Sequence, residues 1–351
     1  MSKNQQNKLR NETSFIKKHQ FTDIEKILEG EFGERFVQYR EKYYRTLNYD
    51  KGEGLPKFPL TVSFELVNRC NLNCVMCYTD HHKKNKTTAS IDVLKNVLEE
   101  CRENNLPAAV VGMGAEALLY KGIKDVITAC RNSGIMDLFL GTNGTLLNSS
   151  VSEFLIQQKV ARLEISLDAA TPETYLKVRG KDQLLLIEKN IKNFLKIRKE
   201  LKSSLPILRL CFCVQKINYK EREMFKRKWE GEGVDYIDFQ NMVDFSDVGP
   251  AIENSKEWIP VDEKQMNKSE IHCSYPFNSL HVWSDGMVTP CCTYYGKALP
   301  LGNVKNDRLS NIWNGAKINK LRAELKSKKN LNPVCRSCLH KRETETFKIE
   351  S

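Results

Sequence analysis

Residues 64–78, from Phe64 to Tyr78, read FELVNRCNLNCVMCY and set Cys70, Cys74 and Cys77 in a C-x3-C-x2-C array. Just upstream, Leu60, Val62, Phe64 and Leu66 alternate with Thr61, Ser63 and Glu65. This period of two predicts a strand running into a cysteine loop. Three thiolates on one short loop suit three irons of a cubane [4Fe–4S] cluster and leave the fourth iron open to a further ligand. A zinc ion held by the three cysteines and by His81 or His82 fits the same residues.

The 351 residues leave room for one domain of about 200 residues and smaller additions. Hydrophobic content of 40% and charged content of 28% are those of an ordinary globule. No apolar run approaches the ~20 residues of a membrane span, and the first residues hold no signal-peptide core, so a cytoplasmic protein is expected. Twelve cysteines there are metal ligands and buried thiols rather than disulfides. The net charge of +11 suits either an anionic partner or a solvated basic surface. His81, His82, Lys83, Lys84 and Lys86 form one such basic run, open to the same two readings. Lys and Arg are otherwise dispersed and no nucleic-acid motif occurs, so neither nucleic acid nor membrane is expected as a partner.

Working outward, residues 1–20 read as a polar, basic, mobile arm. Thr22 and Glu25 match a capping box before a helix carrying Ile24, Ile27 and Leu28. A second helical pattern puts Phe36, Tyr39, Tyr43, Tyr44 and Leu47 on one face, expected to pack on the main domain. After a Gly- and Pro-rich linker, strands and helices alternate as βα units. Five strands are expected beyond the first, at Ala108–Met113, Asp137–Gly141, Arg162–Asp168, Ile207–Gln215 and Tyr236–Gln240. Glu164, Ser166 and Asp168 share one face of their strand, as do Arg209, Cys211, Cys213 and Gln215. A sheet covered by helices on both sides would be apolar throughout, so this polar face should line a lumen. The expected fold is α/β, a partial (β/α)6 barrel over 58–245, with a helical extension over 1–57 and a small cysteine-bearing domain over 246–351.

Four further motifs fall at strand ends, where ligands collect in such folds. They are Gly112-Met113-Gly114-Ala115-Glu116-Ala117-Leu118-Leu119, then Thr142-Asn143-Gly144, then Ser166 and Asp168, and last Tyr175-x3-Arg179-Gly180. With the cysteine array and its Met76 they resemble the radical S-adenosylmethionine (SAM) superfamily over about residues 58–340. The resemblance implies that Cys70, Cys74 and Cys77 hold a [4Fe–4S] cluster whose open iron is chelated by SAM. It implies that Gly114, Ala115 and Glu116 meet the SAM amino group, with Ala115 and Ala117 departing from the family's GGEPLL. Thr142, Asn143 and Gly144 match the family's TNG turn, Ser166 and Asp168 its ribose and methionine contacts, and Arg179 a contact to the SAM carboxylate. Reductive cleavage would then give a 5′-deoxyadenosyl radical, with electrons from a donor such as flavodoxin or ferredoxin.

Cys273 is followed by twelve residues, Gly286, four residues and Cys291, and later by Cys335-x2-Cys338. Spacing alone suits a four-cysteine zinc site equally well. The pattern resembles the twitch or short SPASM extension, which implies one auxiliary [4Fe–4S] cluster on these four cysteines, with Cys292 an alternative to Cys291. The expected function is hydrogen abstraction from a small polar substrate (a sugar, aminocyclitol or nucleotide sugar) for oxidation or epimerisation. Modification of a peptide is the second reading, and a non-enzymatic iron–sulfur or zinc protein the competing class. Cys213 is the candidate hydrogen-atom donor of an epimerase, Asp238 or Glu164 the candidate base of a dehydrogenase.

Overall fold

The computed structural model describes residues 16–49, 54–77, 86–241, 271–291 and 294–344. Ten strands form one sheet: β1 Ile16–Gln20, β2 Thr61–Phe64, β3 Ala108–Val111, β4 Asp137–Thr142, β5 Arg162–Ser166, β6 Ile207–Val214, β7 Tyr236–Asn241, β8 Ser279–Val282, β9 Met287–Thr289 and β10 Gly302–Asn303. Their order is β1-β7-β6-β5-β4-β3-β2-β8-β9-β10, with β2 to β7 mutually parallel in chain order. Among the described residues the α-helices are α1 Ile24–Phe32, α2 Glu34–Leu47, α3 Ile91–Glu103, α4 Ile123–Asn132, α5 Ser149–Gln157, α6 Pro172–Arg179, α7 Leu184–Glu200, α8 Arg222–Trp229, α9 Tyr275–Asn278, α10 Leu309–Asn314, α11 Ala316–Ser327 and α12 Pro333–Thr344. Between β2 and β7 the strands alternate with helices, the partial barrel expected from the sequence. Its main core joins Val62, Phe64, Leu163, Leu210 and Phe212 of the strands to Val97, Cys101, Ile187 and Phe194 of the helices. Burying one such side chain fully contributes about 1.5–3 kcal/mol. Cys101 and Cys130 lie fully enclosed in this core as small hydrophobes.

The amino-terminal helices close the lower end of the sheet. Ile24, Leu28, Phe36 and Tyr39 pack with Leu60, Ala108, Met136, Ala161, Ile207 and Tyr236, residues at or just before the starts of six strands. Phe36 and Tyr39 of the aromatic stripe, with Tyr43 partly buried beside them, therefore pack on the main domain as their spacing predicts, whereas Tyr44 and Leu47 are not part of this core. Two local expectations are corrected. Within the arm expected over residues 1–20, Ile16–Gln20 is a strand, paired antiparallel with β7. The cap of α1 is Asp23, whose side chain accepts from the Lys26 amide at 3.2 Å, while the Thr22 hydroxyl donates to Asp235 at 3.2 Å. The run His81–Lys84 and Cys292 lie outside the described residues.

The carboxyl-terminal segment continues this sheet. β8 adds to the free side of β2 in parallel register, Ser63 opposite His281, and β9 turns back along it. The turn works because Gly286 takes φ 91°, a left-handed conformation that only glycine adopts cheaply. Trp313 on α10 donates its indole N–H to the Pro56 carbonyl at 2.9 Å, and Arg322 on α11 stacks over its ring.

His281 is 1% exposed, with neither ring nitrogen partnered among the described residues. Burial, with Lys297 adding to it, holds its pKa down at about 3, against an ordinary value of 6.5. Below pH 6.5 the unfolded chain binds a proton that the folded chain refuses, so stability falls by about 1.4 kcal/mol per pH unit until about pH 3. Urea midpoints of the metal-free chain between pH 7.5 and 5 should show this slope, and His281→Phe should flatten it. An unchanged slope in the variant would contradict the assignment.

Candidate active site

The cysteine loop leaves the end of β2 and is held by three neighbours. The last turn of α6 leaves backbone carbonyls without helical partners. The amides of Asn73 and Val75 donate to two of them, Arg179 O at 3.2 Å and Val178 O at 3.0 Å. Gly180 closes α6 at φ 75°, and a Cβ there would sit 2.5 Å from the Asn73 carbonyl oxygen. Loop and helix end are therefore in direct backbone contact. The amide of Glu116 donates to the Arg69 carbonyl at 3.3 Å, which ties the loop after β3 to the same segment.

Glu116 is 1% exposed and bridges two strand ends. Its carboxylate accepts from the Thr142 hydroxyl at 2.8 Å, the Asn143 amide at 2.7 Å and the Leu118 amide at 3.0 Å. Burial pushes its carboxyl above the usual carboxylate range, and these donors pull it back. A carboxylate offers about four lone-pair sites, so three donors leave one for an incoming ammonium. Gly112, at φ 94°, brings β3 against β4, since a Cβ would lie 2.2 Å from the Gly141 carbonyl oxygen. Gly114 takes φ 87°, whereas Ala115 is not among the residues of positive φ. The backbone at 115 thus needs no glycine, and the departure from the family's second glycine costs no strain. The Asn143 side chain donates to Asn71 at 2.8 Å and points its amide at the Cys70 sulfur, 3.7 Å away. Gly144 follows at φ 78° with its amide on the Thr142 hydroxyl.

Arg179 lies at the same strand ends. Its guanidinium reaches Asp168 at 2.7 Å and the Cys74 sulfur at 3.4 Å. Arg179 pulls the Cys74 thiol down against the larger opposing effect of burial, so it favours the thiolate that binds iron. Asp168, 1% exposed, sits at φ 65° and accepts the Cys213 amide at 2.6 Å. Asn218 locks this corner, donating to the carbonyls of Asp168 and Cys213 at 2.9 Å each and accepting the Gln215 amide at 2.7 Å. Sequence reading passed over Asn218; an Asn three residues beyond a strand end is a turn signal that could have marked it. The Cys213 thiol is raised by burial and by Asp168, and it lies within electrostatic range of Cys74 and Arg179. Ser166 and Met76 are half-buried.

Lower on the same face, Arg209 lies between both candidate bases, 2.9 Å from Glu164 and 2.5 Å from Asp238. The register brings them together, with Glu164 opposite Arg209 and Asp238 opposite Cys211. Asp238 is fully enclosed, so its assignment as a substrate base is corrected; Glu164 keeps some exposure.

In the carboxyl-terminal segment, Cys273 precedes α9, Cys291 follows β9, and Cys335 and Cys338 ride on α12. Burial raises the Cys335 thiol, and Cys273, Cys291 and Cys338, within electrostatic range of it, each push it further. Gly296 leaves no room beside Cys291: a Cβ there would lie 2.8 Å from its sulfur. Among the described residues no three His, Cys, Asp or Glu side chains are drawn in to metal-binding distances. The donor set, four thiols here and three on the upper loop, is nevertheless the one iron–sulfur clusters take.

Comparison with known proteins agrees with this geometry. The family model described as the radical SAM superfamily matches residues 64–227, and that described as an iron–sulfur cluster-binding domain, SPASM, matches residues 273–339. A tungsten-containing aldehyde ferredoxin oxidoreductase cofactor-modifying protein of Pyrococcus furiosus is 23% identical over 309 residues, 78% of this chain and 85% of the relative. The sporulation killing factor maturation protein SkfB of Bacillus subtilis is 22% identical over 302 residues, 79% of this chain and 70% of the relative. Among solved structures, Streptococcus suis SuiB bound to precursor peptide SuiA superposes with a TM-score of 0.58 at 16% identity, covering 80% of this chain and 70% of that one. No helix among the described residues is long and apolar enough to cross a membrane. The chain belongs to the radical SAM enzymes, with SAM and [4Fe–4S] clusters as its cofactors and a SPASM domain at its carboxyl-terminal side.

Proposed function

We propose that Cys70, Cys74 and Cys77 hold the SAM-binding cluster and that the strand ends around them hold SAM. The observation that carries this is the buried Glu116 carboxylate beside Cys70, with three donors in place and room for one more. In this reading Glu116 takes the SAM ammonium, with Gly114 and Ala115 at its side and Met76 on the loop below. Thr142, Asn143 and Gly144 keep that carboxylate fixed, and Ser166 and Asp168 border the ribose and methionine. Arg179 acts on the iron side through Cys74, and Asp168 holds it there. The chemistry supplied when the site is loaded is reductive cleavage of SAM to a 5′-deoxyadenosyl radical, which abstracts hydrogen from a substrate. An external donor such as flavodoxin or ferredoxin supplies the electron. Cys273, Cys291, Cys335 and Cys338 would hold the auxiliary cluster, and the chemistry it would supply in an oxidation is that of an electron acceptor.

The substrate enters a lumen walled by Glu164, Arg209 and Cys213, so the group that reacts there is polar. A small polar molecule such as a sugar or aminocyclitol meets this condition. The helices α1 and α2 are spent on packing the lower end of the barrel, which supports this reading over one in which they recognise a leader peptide. A peptide is the second reading, favoured by SuiB, whose structure holds a precursor peptide, and by likeness to SkfB, a killing-factor maturation protein by name. The small-molecule preference gains no support from these two. Incubation of the reconstituted enzyme with SAM, reductant and each substrate class, read by coupled 5′-deoxyadenosine formation, separates the two.

Oxidation is the first reaction type, with Glu164 as the proton acceptor. Cys213 decides against or for epimerisation, since its thiol is kept protonated and so retains an S–H to donate. Turnover in D2O should give unlabelled carbonyl product, formed normally by Cys213→Ala. Deuterium at the reacting carbon, lost in Cys213→Ala while SAM cleavage persists, would establish epimerisation instead.

A further inference from the structure

We propose that Tyr49 is a positioning residue of the auxiliary site, so that the segment after α2 works as part of the iron–sulfur domain. The inference rests on the reading above that Cys273 is an auxiliary-cluster ligand. The Tyr49 hydroxyl accepts the backbone amide of Cys273 at 3.1 Å, across 224 residues of sequence. Its ring is 2% exposed and stacks on Phe277 at 3.9 Å and 5°, and on His272 at 5.0 Å and 18°. Tyr49 thus touches the residue before Cys273, Cys273 itself and the helix that follows it. Together with Ile271, Phe277, Leu325, Leu331 and Leu339 it forms a separate small core against which Cys273 packs. One turn back, Thr46 accepts from the Asn278 side chain at 3.3 Å, a contact that leaves Cys273 untouched.

The chemistry of such a contact is specific. A cysteine amide engaged by a tyrosine hydroxyl is not available to a cluster sulfur. Hydrogen bonds to the sulfurs are among the determinants of cluster potential. Removing the hydroxyl and keeping the ring frees that N–H, which should raise the potential of the auxiliary cluster. Removing the ring takes away the stack that fixes the Cys273 backbone, and should cost the cluster itself.

The test uses the full chain carrying Cys70→Ala, Cys74→Ala and Cys77→Ala, reconstituted anaerobically, so that only auxiliary iron remains at about four per chain. In this background Tyr49→Phe should keep the iron but raise the reduction potential and change the electron paramagnetic resonance signal of the reduced cluster. Tyr49→Ala should lose most of the iron. Thr46→Val, the control, should change neither. A potential and spectrum unmoved by Tyr49→Phe would overturn the proposal, as would the same shift or loss in Thr46→Val, which would mark general loosening. Loss of iron from Tyr49→Phe with Thr46→Val intact would support positioning in stronger form. A parent without iron would overturn the cluster assignment as well, an outcome distinct from failure of Tyr49 alone.

Discussion

Replacing Cys70, Cys74 and Cys77 together by alanine is expected to abolish 5′-deoxyadenosine formation and to halve the iron, from roughly eight to roughly four per chain. The loss is complete because these thiols supply the iron that meets SAM, and the four downstream cysteines leave no open iron once all ligate. Replacing Cys273, Cys291, Cys335 and Cys338 should remove the other half of the iron and spare SAM cleavage in the absence of substrate. Anaerobic reconstitution with iron and sulfide, followed by iron analysis and chromatography of the SAM products, measures both. A wild-type chain that purifies with stoichiometric zinc and is inert to SAM and reductant would sink the assignment.

Arg179→Met is expected to carry the largest stability effect. The change leaves Asp168 enclosed at 1% exposure with its guanidinium gone. Breaking one side of a buried ion pair costs about 3–5 kcal/mol. Asp168→Asn alone should cost a similar amount, because Arg179 is itself only 8% exposed. The double variant should recover part of the loss, since it buries no uncompensated charge, and the recovery measures the coupling. Denaturant midpoints at constant slope read these differences. Arg179→Met should also slow iron uptake at the upper site, because the Cys74 thiol loses the neighbour that pulls it down. Additive single-variant costs would show that the pair does not act as one.

Much of this was legible in the chain because it depends on short-range pattern. The cysteine loop, the glycines at strand ends and the period-two strands each declare themselves within about ten residues. The polar faces of β5 and β6 were legible in the same way, since alternation alone fixes which side chains share a face. What stayed hidden depends on which strands are neighbours and in what register. Glu164, Arg209 and Asp238 read as separate lumen residues until β5, β6 and β7 are paired, and then they form one ion-paired group. Arg179 matched a motif for the SAM carboxylate, but that it meets Asp168 and the Cys74 sulfur shows only once the strand ends are placed together. Thr22 and Glu25 fit a capping box, yet Asp235, brought in by β7, takes the threonine and leaves Asp23 to cap. Tyr49 carried no signal, because its partner is two hundred residues away.

The parallel addition of β8 to β2 bears on how the chain is made. Glu65, just past the end of β2, meets Ser284 only across 219 residues of sequence. Translation at about 5–20 residues per second leaves that side of β2 without its neighbour for roughly ten to forty seconds. Closing so long a loop adds to the delay, since non-local pairing forms late. Throughout that interval a parallel strand presents open amides and carbonyls, the template on which chains associate wrongly. Fragments that stop after β7 would keep that exposure permanently and should precipitate, however well their own seven strands pair. The SPASM segment is therefore also the guard of the barrel's first edge, and it arrives last.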